Sequence, residues 1–259
     1  MLRCFLRRRF SAGSVDAGEV DKFARDAAKW WDNGSQFRAL HAMHRTRMQY
    51  VAARLGAMQE KREGRRRPLE GLHVLDMGCG GGLLTHSLLR LGAHVTAVDA
   101  GEATVDACRA AVVRARGVDE TRAVFRHATA EQMASEAASF DAVCSLEVVE
   151  HVADRQAFVE SLATMTRVGG VLTMSTINDT AKARALAIGL AEYVLRLVPV
   201  GTHEADKLTS PADLERGVAP VGRWEAPEVV GMTYVPGRDT WRLSDDPSVN
   251  YLWSARRLE

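Results

Sequence analysis

The sequence predicts an α/β fold in which helices cover both faces of a mostly parallel β-sheet. Short apolar runs of strand length alternate with amphipathic stretches of helical length through the middle of the chain. A glycine-rich turn joins the first apolar run to a helical stretch, as in βα units. The 259 residues are 46% hydrophobic and 26% charged, which suits a globular chain with one large core better than a disordered chain.

The first segment, residues 1–15, has the composition of a mitochondrial targeting sequence. It carries four arginines and no acidic residue, and Leu and Phe are interleaved with the arginines on a helical period. Transit peptides are amphipathic, rich in arginine and poor in acidic residues. A disordered basic tail is the alternative, and the composition favours targeting. We therefore expect this segment to direct the protein to mitochondria.

Residues 16–67 are predicted to form an N-terminal helical part and a linker. Helix is indicated from Asp16 to about Met58 because apolar residues recur at three- and four-residue steps. The basic stretch KREGRRRPLEG then separates this part from residues 68–259 and is interpreted as a solvated linker. The apolar residues that show the helical period are Val20, Phe23, Ala24, Ala27, Trp30 and Trp31.

Seven apolar runs predict the strands of the sheet. Helical stretches separate most of the first five runs, and such crossover connections make neighbouring strands parallel. The last two runs follow a predicted helix over residues 181–198, which Pro199 ends. In chain order the runs are HVLDMG, HVTAVD, AVFRHA, FDAVCSL, GGVLTMSTI, PEVVGMTYVP and VNYLWSARR.

The glycine-rich turn and a later acidic residue together predict a cofactor site. Glycines allow the backbone after the first strand to turn sharply and to approach a ligand closely. Asp99 ends the second strand, 21 residues after Gly78, where a carboxylate can accept hydrogen bonds from both hydroxyls of a ribose. A nicotinamide cofactor is disfavoured because its G-x-G-x-x-G pattern needs glycine at the position of Leu83.

Charge and cysteine content argue against several other classes of protein. Lys and Arg total 34 and Asp and Glu total 33, so no protein-wide positive field attracts DNA or RNA. The four cysteines form no C-x-x-C pair, which argues against a structural zinc site or a disulfide framework. No apolar run approaches the roughly 18 residues that a membrane-spanning helix needs.

Beyond these patterns, several segments resemble one family, the ubiquinone-biosynthesis O-methyltransferases, which act on polyprenylated catechol precursors. The resemblance runs from about Val15 to Trp253 and implies a Rossmann-like class I methyltransferase fold. That fold has a mostly parallel seven-stranded sheet, here with an N-terminal helical extension. Residues 16–259 would be the methyltransferase domain and residues 68–259 its catalytic core. The segments are FARDAAKWWDNGSQFRALHAMHRTRMQYV, LDMGCGGGLLTHSL, SLEVVEHVAD, TMSTINDTAKARALAIGLAEYVLRLVPVGTHE, GMTYVP and VNYLW.

The same resemblance implies a reaction and four cofactor contacts. A methyl group would pass from S-adenosylmethionine to a hydroxyl of 3,4-dihydroxy-5-polyprenylbenzoate or of demethylubiquinol. Arg47 would pair the cofactor's carboxylate, Gly78 would line the cofactor, and Asp99 would hold its ribose. Leu146 would lie near the sulfonium. The family usually has Asn-Pro where this chain has His44 and Arg45.

The stretch LEVVEHV, residues 146–152, is a candidate metal site. If a helical turn begins after Leu146, then Glu147, Glu150 and His151 fall at i, i+3 and i+4 and share one face. The residues alone leave two interpretations open, a Mg²⁺ site and the polar start of an ordinary helix. The resemblance implies the magnesium site, where the ion would lower the pKa of a chelated catechol. His151 is also a candidate base, and His203 is a weaker one.

A polyprenylated substrate implies contact with a membrane. The predicted helix at 181–198 has more apolar surface than one face of a core helix needs, so it is interpreted either as an interfacial helix or as a cover helix on the sheet. We expect a peripheral protein on the matrix side of the mitochondrial inner membrane, with other quinone-biosynthesis proteins as partners. Two alternatives to an O-methyltransferase are a non-catalytic scaffold and a nicotinamide-dependent oxidoreductase.

Overall fold

A computed structural model describes residues 13–32, 38–59, 66–115, 117–186, 207–238 and 240–259. Nearly all of the predicted targeting segment lies outside these residues. So do the first part of the predicted linker, most of the predicted helix at 181–198, and His203. Within the described ranges, no helix is both long enough and apolar enough to cross a bilayer.

The described elements alternate between strand and helix from the first strand to the fifth, as predicted. In chain order they are α1 (Ala17–Asp26), α2 (Arg38–Ala57), β1 (His73–Met77), α3 (Leu83–Arg90), β2 (His94–Asp99), α4 (Glu102–Arg114), β3 (Ala123–His127), α5 (Ala130–Ser135), β4 (Phe140–Leu146), α6 (Arg155–Met165), β5 (Thr166–Ile177), α7 (Ala181–Ala183), α8 (Pro211–Val218), β6 (Glu228–Val235), β7 (Thr240–Ser244) and β8 (Asn250–Arg256).

The strands form one sheet in the order β3-β2-β1-β4-β5-β8-β6-β7. Strands β1 to β5 pair in parallel, β8 pairs antiparallel with both β5 and β6, and β7 pairs antiparallel with β6. The seven predicted strands are confirmed, but the sheet has eight strands in the described part of the chain. The eighth, β7, is not predicted from the sequence, because only Trp241 and Leu243 are apolar in this edge strand.

Both faces of the sheet are covered, because successive strand residues point to opposite sides. On β1, Val74 packs into a cluster with Val51 and Leu55 of α2 and Leu88 of α3. Its neighbour Leu75 packs into a second cluster, with Phe158 and Leu162 of α6 and Leu214 of α8. Helix α2 therefore shares the core of the sheet, and the predicted helices on both faces are confirmed.

Helix α1 is placed over the carboxyl edge of the parallel strands by the residues that precede it. Val15 forms an isolated antiparallel bridge with Val152, and the Ala153 amide donates to the Ser14 carbonyl at 2.7 Å. The Asp16 carboxylate then caps α1 by accepting from the Gly18 amide at 3.0 Å. The predicted helix from Asp16 to about Met58 is thus two helices, and the chain turns at Trp30 between them.

Candidate active site

A cavity of about 580 Å³ opens at the carboxyl edge of the sheet, where β1 lies between β2 and β4. This is the point in open α/β sheets at which the strand order reverses and ligands bind. Helix α1 and the loops after β1, β2, β3 and β4 wall the cavity on one side, and the β6–β7 hairpin walls it on the other. Gly78, Asp99, Leu146, Glu147, Glu150 and His151 all line this one cavity.

The glycine loop follows β1 and is closed back onto β2. The amides of Gly78 and Cys79 donate to the Val98 carbonyl at 2.8 and 3.0 Å. Gly78 has φ +81°, and a Cβ built there would overlap the Val148 side chain. Glycine is required at this position for both reasons, the left-handed backbone and the close approach.

Asp99, the last residue of β2, holds the loop and the start of α4 at once. Its Oδ2 accepts from the Gly80 amide at 3.0 Å. Its Oδ1 accepts from the Gly101 amide at 2.9 Å and from Thr104 Oγ1 at 2.8 Å. Each carboxylate oxygen has two lone pairs, so Oδ2 retains an acceptor site for a ribose hydroxyl.

A second aspartate lies beneath the loop. Asp76 in β1 is buried, and its Oδ2 accepts from Thr85 Oγ1 at 2.5 Å. Burial raises its pKa to about 7, although the hydrogen bond from Thr85 acts in the opposite direction. Asp76 itself does not line the cavity, so its role here is to tie β1 to the first turn of α3.

Arg47 lies in the middle of α2, is buried, and stands behind the cavity wall rather than in it. Its Nη1 lies 3.9 Å from Glu147 Oε1, and its Nε has no hydrogen-bond partner in the described structure. Burial lowers the pKa of the guanidinium, and the carboxylates of Glu147 and Glu150 partly offset this. A buried guanidinium with an unused N–H fits a carboxylate ligand.

The residues that stand where the family usually has Asn-Pro, just before Arg47, do not disturb α2. His44 and Arg45 continue the helix, and His44 Nε2 bonds Ser87 Oγ at 2.8 Å. Helix α2 therefore places Arg47 behind the cavity wall without the fixed φ of a proline.

The prediction that Glu147, Glu150 and His151 share one face of a helix after Leu146 is wrong. Glu147 has φ +57°, a left-handed conformation that is uncommon for a residue other than glycine. Only Val149–His151 form a helical turn, and that turn is a 3₁₀ turn. Because Glu147 is outside the turn, its side chain does not share a helix face with Glu150 and His151.

The two glutamates are held instead by β5. Glu147 Oε1 accepts from Ser175 Oγ at 2.6 Å, and Glu150 Oε2 accepts from Thr176 Oγ1 at 2.9 Å. Glu150 is buried, and burial together with the neighbouring Glu147 carboxylate raises its pKa to about 7.

His151 is oriented by α1. Its Nδ1 lies 2.9 Å from Glu19 Oε2, and the ring of Phe23 meets it edge to face with the centroids 5.0 Å apart. The hydrogen bond with His151 lowers the pKa of Glu19 to about 2. Burial opposes protonation of His151, but the carboxylates of Glu19 and Glu150 outweigh it and raise the histidine's pKa. Glu19 is not predicted as a site residue, because 132 residues separate it from its partner in the sequence.

The implied magnesium site is not assembled by these side chains. The Glu147 carboxylate accepts a hydrogen bond from Ser175 and lies beside Arg47. The Glu150 carboxylate accepts from Thr176. His151 Nδ1 is hydrogen-bonded to Glu19. Among the residues that the structure describes, no group of three or more His, Cys, Asp or Glu side chains is placed to hold a metal ion. The donor set is present in one cavity, but the arrangement does not fit the ion.

The far side of the cavity is apolar. Met232 and Tyr234 of β6 and Trp241 of β7 line it, and the rings of Tyr234 and Trp241 lie 5.6 Å apart. Leu186, the last described residue before the gap at 187–206, also lines it. This wall offers a hydrophobic ligand the burial that it needs. Part of it comes from β7, the strand that the sequence analysis missed.

Comparisons with known proteins show the family and the fold of this chain. Residues 75–174 match a family described as a methyltransferase domain. The ubiquinone biosynthesis O-methyltransferase of Parvibaculum lavamentivorans is 41% identical over 94% of each chain, and that of Sinorhizobium medicae is 42% identical over 94% of this chain and 96% of its own. Magnesium protoporphyrin IX methyltransferase from Synechocystis, with bound S-adenosylhomocysteine, has a TM-score of 0.62 and 22% identity, over 92% of this chain and 94% of that one. At 22% identity, this last similarity shows the fold alone.

Proposed function

The chain belongs to the family of ubiquinone biosynthesis O-methyltransferases, and from this membership we propose how its cavity works. The protein is an S-adenosylmethionine-dependent methyltransferase that acts on a hydroxyl oxygen in ubiquinone biosynthesis. The observation that carries the assignment to this cavity is the glycine loop, residues 78–82, closed onto the Asp99 carboxylate. That arrangement presents backbone and carboxylate to a ligand with a ribose diol.

Four residues would hold the cofactor in this proposal. Asp99 would accept the ribose hydroxyls, and Gly78 and Leu146 would line the nucleoside and the sulfonium. Arg47 would pair the carboxylate, which its unused Nε supports. When bound, S-adenosylmethionine supplies a methyl group already activated on a sulfonium, so the protein's own task is to orient the acceptor and to remove its proton.

We propose that the acceptor is a polyprenylated catechol, 3,4-dihydroxy-5-polyprenylbenzoate or demethylubiquinol. The apolar wall of Met232, Tyr234 and Trp241 would bury the first part of the isoprenoid chain. His151 would take the proton of the reacting hydroxyl on Nε2, because Nδ1 is engaged with Glu19. The carboxylate of Glu19 would stabilise the imidazolium that forms.

The test is methyl transfer from labelled S-adenosylmethionine to short-chain forms of both acceptors. We expect methylated product from the wild-type protein and, for His151→Ala, a kcat lower by about 100-fold with unchanged binding of S-adenosylhomocysteine. Binding without any methylation would favour a scaffold role. Methylation at the wild-type rate by His151→Ala would show that His151 is not the base.

The same assay with EDTA tests the implied magnesium. The resemblance predicts that EDTA abolishes methylation and that Mg²⁺ restores it, which would require Glu147, Glu150 and His151 to exchange the partners they have in this structure. Methylation that is indifferent to EDTA would remove the metal-ligand role of all three side chains and leave the proposed role of His151 as the base.

We also propose that the protein is mitochondrial and contacts the matrix side of the inner membrane with other quinone-biosynthesis proteins. The arginine-rich composition of residues 1–15 supports the location, and the apolar wall supports a lipid-like substrate. When the full chain is incubated with isolated mitochondria, we expect it to be imported and so to become protected from added protease. Replacement of the four arginines of residues 1–15 by serine should prevent this import. Serine at the three arginines of residues 65–67 is the control. Import that survives the first change would contradict the targeting proposal.

A further inference from the structure

Trp30 packs directly on the backbone of the glycine loop. It is 9% exposed, and it lines the cavity. A Cβ built on Gly80 would lie 2.6 Å from Trp30 Cζ2, and one built on Gly81 would overlap Trp30 Cγ. The indole therefore occupies the space that side chains at these two positions would fill. Glycine at 80 and 81 is needed for this contact, in addition to any contact with a ligand.

Trp31 holds the same loop by a hydrogen bond. Its Nε1 donates to the Gly81 carbonyl at 2.7 Å. The rings of His41 and His86 meet the Trp31 ring edge to face, with centroids 5.5 and 5.7 Å away, and so fix its plane. His41 Nε2 also lies 2.9 Å from the Trp30 carbonyl, which ties the tryptophan pair to α2.

The loop is thus held from two sides. Asp99 accepts from the Gly80 amide on one side, and Trp31 donates to the Gly81 carbonyl on the other. We propose that Trp30 and Trp31 are positioning residues for the cofactor, which set the backbone of Gly80 and Gly81 in its binding conformation before S-adenosylmethionine arrives. This inference rests on the proposed cofactor site. It joins the WWD segment and the glycine loop, 50 residues apart, into one unit.

The first test replaces Trp31 by phenylalanine, which keeps a ring and removes the N–H donor. We expect the Kd for S-adenosylhomocysteine, measured by calorimetry, and the KM for S-adenosylmethionine to rise about fivefold with kcat unchanged, the loss typical of one hydrogen bond. Trp224→Phe is the matched control. It also deletes an indole N–H donated to a carbonyl, that of Val218 at 3.1 Å, and Trp224 does not line the cavity. Equal affinity for Trp31→Phe and Trp224→Phe would overturn the role of Trp31.

The second test is a double-mutant cycle between Gly81 and Trp30. Gly81→Ala alone must displace the indole, and we expect it to weaken the binding of S-adenosylhomocysteine about tenfold or more. In a Trp30→Gly protein, the same Gly81→Ala substitution should cause no further loss of affinity. Glycine is needed at 30 because the Trp30 Cβ itself would lie 2.5 Å from the new methyl group. Additive losses would overturn the contact as the cause. A wild-type protein that binds no S-adenosylhomocysteine would instead overturn the proposed cofactor site, so the two failures are distinguishable.

Discussion

Replacement of Asp99 by alanine is expected to lower the affinity for S-adenosylhomocysteine by at least about 100-fold, with a fall of the same size in kcat/KM for S-adenosylmethionine. The ribose hydroxyls would lose their acceptor, and so would the amides of Gly80 and Gly101. The ligand contact and one side of the support of the glycine loop depend on this one carboxylate. Calorimetry and steady-state kinetics measure the two effects.

Asp119→Ala is the matched control for this change. Asp119 also accepts from a backbone amide and a hydroxyl, both of Thr121, at 3.2 and 2.5 Å, but it is exposed and outside the cavity. It should leave the affinity unchanged. If Asp99→Ala bound the cofactor as tightly as Asp119→Ala, the assignment of the ribose to Asp99 would be wrong.

Arg47→Met is expected to have the second large effect, on both stability and binding. It leaves the Glu147 carboxylate, which is largely buried, without its cation, and breaking such a pair costs about 3 kcal/mol of the free energy of unfolding. Denaturant titration measures this loss. Adding Glu147→Gln should restore much of the stability, because the unpaired charge is then removed.

Binding separates the two roles of Arg47. S-adenosylhomocysteine carries an amino acid carboxylate, and 5′-methylthioadenosine lacks it. If Arg47 pairs that carboxylate, Arg47→Met with Glu147→Gln should bind S-adenosylhomocysteine about tenfold or more weakly and bind 5′-methylthioadenosine as before. An equal change for the two ligands would leave Arg47 only as a partner of Glu147.

Local patterns predicted the strands and the glycine-rich turn well, because each depends on neighbouring residues. The short apolar runs of β1 and β2 and the glycines after β1 are visible in short windows of sequence, and Asp99 ends its strand as predicted. Helices on both faces follow from the crossover connections. These features need no knowledge of distant contacts.

The features that the sequence analysis missed depend on distant contacts or on backbone conformation. Glu19 meets His151 only because Val15 pairs with Val152 and brings α1 over the cavity. Glu147 adopts a left-handed conformation while its amide donates to the Ser175 carbonyl of β5, a pairing that a helical spacing argument ignores. The Trp31 bond to Gly81 likewise spans 50 residues.

The antiparallel direction of β8 has a practical consequence for protein engineering. Asn250 pairs with Ile177 at the cavity end of β5 and Arg256 pairs with Val171, so β8 runs away from the cavity. Residues 13–15, in contrast, lie against the loop that carries His151. A purification tag, fluorophore or surface linker is therefore best attached after Glu259, where it leaves the cavity entrance clear, whereas the same attachment before Gly13 would stand beside it.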